Sequence, residues 1–109
     1  MNKIFNLIVL LNLSFYTINA LSALTVAQTD ALVDKCKQGD QSSAQTLISE
    51  AKQGDVNAQF ALGFIYDVGF SVPQDFKRSV NWYLKAAEQG HAGAQLNLGG
   101  IEPSRVGHL

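Results

Sequence analysis

Apolar and polar positions divide the chain into two unlike parts. Residues 4–15 form an almost continuous apolar stretch, rich in Leu and Ile, behind the single positive charge of Lys3. From residue 29 onward, apolar side chains recur every three or four positions, which is the spacing of one buried helical face. The pattern therefore predicts an all-α fold behind a separate leader segment.

This periodicity predicts four helices and the beginning of a fifth. The first two cover residues 29–38 and 41–53, the third covers 56–66, and the fourth covers 76–87. We expect the buried stripe of the third helix to contain Ala58, Ala61, Leu62, Ile65 and Tyr66. We expect the stripe of the fourth to contain Phe76, Val80, Tyr83, Leu84 and Ala87.

Short Gly-containing junctions separate the predicted helices. Gly39, Gly54 and Gly90 each follow a helical stripe, where a left-handed residue commonly closes a helix. Asp55 and Asp75 precede the third and fourth helices and can accept hydrogen bonds from their first-turn amides. We expect a Gly to end one helix while an Asp begins the next.

The chain repeats itself. Residues 51–63 align with residues 87–99 at an offset of 36, the distance from Ala51 to Ala87. Both copies carry Gly inside a predicted helix, Gly63 and Gly99, where Gly costs about 1 kcal/mol relative to Ala. We therefore expect a neighbouring helix to approach closely at both glycines.

The repeated residues resemble the Sel1-like repeat, an α/α hairpin of the tetratricopeptide superfamily. The matching pattern is Gly54-Asp-x-x-Ala58-Gln-x-x-Leu62-Gly63-x-x-Tyr66, followed by Trp82-Tyr83-x-Lys85-Ala86-Ala87-x-x-Gly90. The resemblance implies a short solenoid of antiparallel hairpins. Its parts would be a capping helical pair at 29–53, one repeat at 54–89, the start of a second at 90–101 and an irregular tail at 102–109.

The second repeat stops before its second helix. Stacked hairpins normally cover one another, so this ending would leave Ala94, Leu98 and Ile101 without a partner helix. One interpretation is a homo-oligomer in which a second copy covers them. The other is a truncated or frame-shifted gene, and the chain would then be a remnant of a longer repeat protein.

The leader segment is typical of a secretory signal peptide at residues 1–20. Cleavage after Ala20 or after Ala23 fits equally well. The alternative is a membrane anchor, but Asn6 and Asn12 interrupt a stretch shorter than the roughly 20 apolar residues that span a bilayer. We expect a periplasmic or secreted protein that has no membrane contact once the signal is removed.

Charge and cysteine content narrow the function classes. The net charge is −1, with 8 basic and 9 acidic residues scattered along the chain, so a nucleic acid partner is not expected. Cys36 is the single Cys and can form no internal disulfide. It is either a small buried residue or the site of an intermolecular bridge.

His91 and His108 lie too far apart to suggest a metal site, and we expect His91 to be a solvated junction residue.

Catalytic motifs are sparse. Ser49 and Lys52 match the Ser-x-x-Lys spacing of penicillin-recognising enzymes, but the companion motifs of those enzymes are absent. An exposed helix surface explains the pair more simply. We therefore predict no catalytic residues, no cofactor and no metal, and keep an enzyme acting on β-lactams or cell-wall peptides only as an alternative.

The leading prediction is an exported adaptor that binds a protein or peptide. At about 100° per residue, Phe60 and Phe64 point away from the buried stripe of the third helix, with Asn57 on the same side. These three residues are the candidate peptide-binding face, because the first helices of stacked hairpins line the concave surface. The competing interpretation is contact with the adjacent repeat. Trp82 and Tyr83 are expected in the hairpin core.

Overall fold

The computed structural model describes residues 23–101, and all regular secondary structure within that range is helical. The five helices are α1 (Val26–Lys37), α2 (Gln41–Lys52), α3 (Val56–Val68), α4 (Phe76–Glu88) and α5 (Ala92–Gly99). The predicted all-α fold of antiparallel hairpins is confirmed. The predicted signal peptide at 1–20 and the predicted tail at 102–109 lie outside the described residues.

The first helix begins three residues earlier than the periodicity predicts. The Thr25 side chain accepts a hydrogen bond from the Gln28 amide at 3.1 Å, and the Thr25 amide donates to the Gln28 side chain at 3.0 Å. This reciprocal pair is a capping box, which satisfies amides that the first turn would otherwise leave unpaired. The apolar stripe alone could not place this start, since the cap is made by polar residues.

The predicted Gly junctions are confirmed. Gly39, Gly54 and Gly90 have φ angles of 91°, 99° and 89°, in the left-handed region that favours glycine. Asp55 caps α3 by accepting from the Ala58 amide at 2.8 Å. Asp75 caps α4 in the same way, accepting from the Arg78 amide at 3.0 Å. Turns of three residues therefore join α1 to α2, α2 to α3 and α4 to α5, whereas a seven-residue loop at 69–75 joins α3 to α4.

The helices form two layers, and neighbouring helices lie closer together in one layer than in the other. In the layer of α1, α3 and α5, α3 contacts both of its neighbours. In the other layer no Cα atoms of α2 and α4 approach within 8 Å of each other, although each helix packs against α3. The first layer is therefore the inner side of the stack and the second is the outer side, as in curved helical solenoids. A cleft on the outer side separates α2 from α4.

Helix α3 lies at the centre of the core. All five residues of its predicted stripe are buried, and Leu62 and Ile65 are completely inaccessible. On α4, by contrast, the prediction for Leu84 is wrong, because 45 % of this residue is exposed. The small residues Ser79 and Ala86 are buried instead, so the contact face of α4 is rotated toward them and Leu84 faces the outer cleft.

The close approach predicted at Gly63 is confirmed. A Cβ atom at this position would overlap the ring of Tyr83 on α4. The Ser79 hydroxyl donates a 2.6 Å hydrogen bond to the Gly63 carbonyl, which holds the two helices together at the same place. The prediction is wrong for Gly99, since a Cβ there would meet no atom within 4 Å. No described helix packs on that side of α5.

The half-repeat at 90–101 is better covered than the sequence suggests. Ala94 is fully buried in a cluster with Tyr83 and Ala86, so the expectation that it lacks a covering helix is wrong. Leu98 and Ile101 are partly buried against the same cluster. Helix α4 already covers the inward face of α5, and the large exposed apolar residue of this segment is Leu96, at 77 %.

The two glycines provide a matched test of this packing. Gly63→Ala should lower the free energy of unfolding by about 1 to 3 kcal/mol, because the new methyl group overfills the contact with Tyr83. Gly99→Ala should leave stability unchanged or raise it by up to about 1 kcal/mol, because the site is open and Ala favours helix. Thermal and urea unfolding followed by circular dichroism at 222 nm measure both. Equal effects of the two substitutions would contradict the close contact.

Candidate binding grooves

An inner groove runs between α1 and α3. It has a cavity volume of about 390 Å³ and is lined by Thr29, Asp30, Val33, Asp34, Lys37, Phe60, Ala61 and Phe64. Its floor is apolar, from Val33, Ala61 and the two Phe rings. The rim belongs to α1, where Asp34 and Lys37 form an exposed ion pair at 3.4 Å. Asp30 has no ion-pair partner among residues 23–101, so the rim carries one surplus negative charge.

Two of the three residues predicted for the binding face line this groove. Phe60 and Phe64 do so, whereas Asn57 is used elsewhere. The Asn57 side chain donates to the Leu24 carbonyl at 2.9 Å, and the Leu24 amide donates to the Asp55 carboxylate at 2.8 Å. Asn57 therefore fixes the chain segment before α1 against the start of α3. Peptide binding by the face itself stays a prediction.

Phe60 both packs against the adjacent repeat and lines a groove, two roles that the sequence presents as alternatives. Its ring stacks on His91 with a centroid separation of 4.3 Å and lies 5.7 Å from the ring of Tyr83. These contacts join α3 to the beginning of α5, as the adjacent-repeat interpretation predicts. The same residue also borders the inner groove. The ring of Phe64 lies 5.9 Å from the ring of Phe70, which belongs to the loop before α4.

His91 is not the solvated junction residue that its position suggests. It is only partly exposed, and its Nδ1 accepts from the Ala94 amide at 3.1 Å, so the ring acts as the N-cap of α5. Asp55 has the same role one repeat earlier. The imidazole differs from a carboxylate because its flat face also stacks on Phe60. The spacing of the repeat places His91 at a helix start, whereas its stacking on Phe60 depends on how the helices pack.

An outer groove occupies the cleft between α2 and α4. Its cavity volume is about 740 Å³, and its lining residues are Gln45, Ile48, Lys52, Tyr66, Arg78, Asn81, Trp82, Leu84, Lys85 and Glu88. Trp82 is half-buried against the main core, and the Lys85 ammonium lies 4.6 Å from the centre of its ring. The sequence reasoning missed this groove because it places Trp82 and Leu84 in the interior. The spacing of Trp82 and Lys85 could have indicated the groove, because residues three positions apart lie on one helix face.

Charge distinguishes the two grooves. The outer groove gathers Lys52, Arg78 and Lys85, three of the eight basic residues in the chain, and one acidic residue, Glu88. Arg78 is partly compensated, since its guanidinium lies 3.5 Å from the Asp75 carboxylate. The outer groove is therefore positive overall, whereas the inner groove carries a surplus negative charge.

The family model of the Sel1 repeat matches residues 56–91. This chain carries a Sel1 repeat. The match covers α3, α4 and the turn into α5, and it confirms the resemblance to Sel1-like repeat proteins. Neither the curated proteins nor the solved structures contain a significant match to the chain.

Sel1 repeats generally mediate protein–protein interaction and are generally non-enzymatic. Ser49 Oγ accepts a 3.2 Å hydrogen bond from the Gln53 side chain, and Lys52 lines the outer groove. Residues 23–101 contain no cluster of His, Cys, Asp and Glu suited to a metal ion. No helix in the same range is long and apolar enough to cross a membrane.

Cys36 is a core residue of the protein. Only 1 % of it is exposed, which confirms the interpretation of a small buried residue. Burial raises the pKa of its thiol, and the charge of Asp40 raises it further, so the thiol stays protonated near neutral pH. The Cys36 carbonyl accepts a 2.7 Å hydrogen bond from the Ser71 hydroxyl, which attaches the loop before α4 to the end of α1.

Proposed function

We propose that this Sel1-like repeat protein is an exported adaptor that holds a peptide segment of another protein in its inner groove. The observation that carries the proposal is the apolar floor of Phe60, Phe64 and Val33 beside the exposed acidic rim of α1. An apolar side chain of the partner would occupy the floor. Aromatic residues that are already ordered make effective anchors, because little side-chain freedom is lost on binding.

The rim defines the chemistry of the partner segment. Asp30 is exposed and without an ion-pair partner in the described residues, while the Asp34 charge is offset by Lys37 at 3.4 Å. A segment that carries one basic residue next to its apolar anchor complements this arrangement. Such a rim charge contributes more to the rate of association and to specificity than to affinity.

Site-specific photo-crosslinking tests the inner groove. A benzophenone amino acid at Lys37, which lines the groove, should form covalent adducts with a partner, whereas the same group at exposed Lys77 on α4 should not. Adding Asp30→Lys should reduce the adduct severalfold, because the basic residue of the partner would then be repelled. Mass spectrometry of the adduct identifies the segment bound.

The control for charge is Glu88→Lys, which makes the same change at the outer groove and should leave the Lys37 adduct unchanged. Adduct of equal yield from positions 37 and 77 would refute binding in the inner groove. So would an adduct that Asp30→Lys leaves intact, or a captured segment without an apolar and a basic side chain.

The export part of the proposal rests on the apolar stretch of residues 4–15. Cleavage after Ala20 and cleavage after Ala23 both retain Leu24, whose amide and carbonyl bond to Asp55 and Asn57. The folded part of the protein would therefore keep its first contacts after either cut. The helices from α1 onward would be presented outside the cytoplasm.

A fusion to alkaline phosphatase, which is active only where disulfides form, tests export. The fusion should be active with the native leader and lose most of its activity with Leu10→Arg, because a charge in the apolar stretch blocks signal-peptide function. Val26→Arg, an equal change at an exposed position of α1, is the control and should retain activity. The exported product should begin at Leu21 or Leu24. An inactive native fusion or an uncut leader would refute the proposal.

A further inference from the structure

The outer groove contains features of a second binding surface that the inner groove does not explain. Its apolar part is formed by Trp82 and Ile48, which are half-buried, and by Leu84, which is 45 % exposed. The groove stays open between them, because no Cα atoms of α2 and α4 approach within 8 Å of each other. The cleft is open and extends across α2 and α4, so it suits an extended or helical peptide better than an enclosed small molecule.

The charge of the groove favours an acidic occupant. Lys52 projects from α2 and Lys85 from α4, so the two ammonium groups border the cleft from opposite sides. Lys52 has no ion-pair partner in the described residues. Lys85 is held over the ring of Trp82 by a cation–π contact, which positions it beside the apolar surface. This local positive charge stands out in a chain whose net charge is −1.

We propose that the outer groove binds an acidic peptide segment of a partner protein, with an apolar side chain against Trp82 and carboxylates beside Lys52 and Lys85. The site is separate from the inner groove and lies on the opposite layer of the stack. A protein with both grooves occupied would join two partners, one through a segment with a basic residue and the other through an acidic segment.

Selection from a random peptide library displayed on phage tests this proposal and does not require an identified partner. Selection on the wild-type protein should enrich Asp and Glu next to an aromatic or aliphatic residue. The most enriched peptide, made synthetically, should then change the fluorescence of Trp82 in a saturable way. Trp82 is the only Trp in the chain, so this signal reports the outer groove directly.

Charge reversal supplies the matched control. The double variant Lys52→Glu/Lys85→Glu should bind the selected peptide roughly fivefold more weakly or worse, since exposed charge pairs contribute modestly but repulsion adds to the loss. Lys77→Glu changes an exposed Lys of α4 outside the groove and should bind like wild type. Lys52→Gln/Lys85→Gln should give an intermediate loss. Circular dichroism of each variant checks that the helices are retained.

Three results of the selection and binding measurements would overturn the proposal. They are a selection that fails to enrich acidic peptides, an equal loss of binding in the Lys77→Glu control, and retention of binding in the double reversal. A Trp82 spectrum that changes with protein concentration alone would assign the groove to a second copy of the chain, and would also overturn it. Asp30 lies on the other layer, so Asp30→Lys should not alter the Trp82 titration. A failure of the outer-groove proposal is therefore distinguishable from a failure of the inner-groove proposal.

Discussion

The contact between Gly63 and the ring of Tyr83 is the constraint on which the rest of the structure depends. It sets the distance between α3 and α4, because a side chain at Gly63 would occupy the space of the ring. The Ser79 hydroxyl bonds the Gly63 carbonyl at 2.6 Å and joins the two backbones at the same level. Tyr83 in turn contacts Phe60 and packs with Ala94, so one aromatic ring positions the inner groove and α5 together. Burial raises the pKa of its hydroxyl, with a hydrogen bond from Asn97 opposing the shift.

This tight hairpin explains why the inner and outer grooves differ. Helix α3 contacts every other helix of residues 23–101, so the inner layer closes around it, and the smaller inner groove lies beside α1. The outer helices α2 and α4 pack against α3 but lie farther from each other, and the space between them is a wider cleft bordered by Lys52 and Lys85. Packing alone therefore creates the cavities, while the exposed residues of α1, α2 and α4 give them opposite charge.

The sequence predicts the parts of the fold that depend on local chemistry. The Gly54 and Gly90 junctions, the Asp55 and Asp75 caps and the stripe of α3 all follow from spacing and conformational preference within a single segment. The failures involve contacts between distant segments. Leu84 is exposed because α4 is rotated toward Ser79 and Ala86, and Asn57 is engaged because the chain before α1 returns to α3. Gly63 and Gly99 show the limit most clearly, since equal positions in two repeats have unequal neighbours.

A double-mutant cycle between Gly63 and Tyr83 tests the central claim most directly. The free energies of unfolding of Gly63→Ala, Tyr83→Leu and the combined variant would be measured by urea denaturation against the wild-type protein. If the methyl group at position 63 destabilises by meeting the ring, removing the ring should relieve that cost, with a coupling energy of roughly 1 kcal/mol or more. Additivity within about 0.5 kcal/mol would show that the two residues act independently, and would contradict the account.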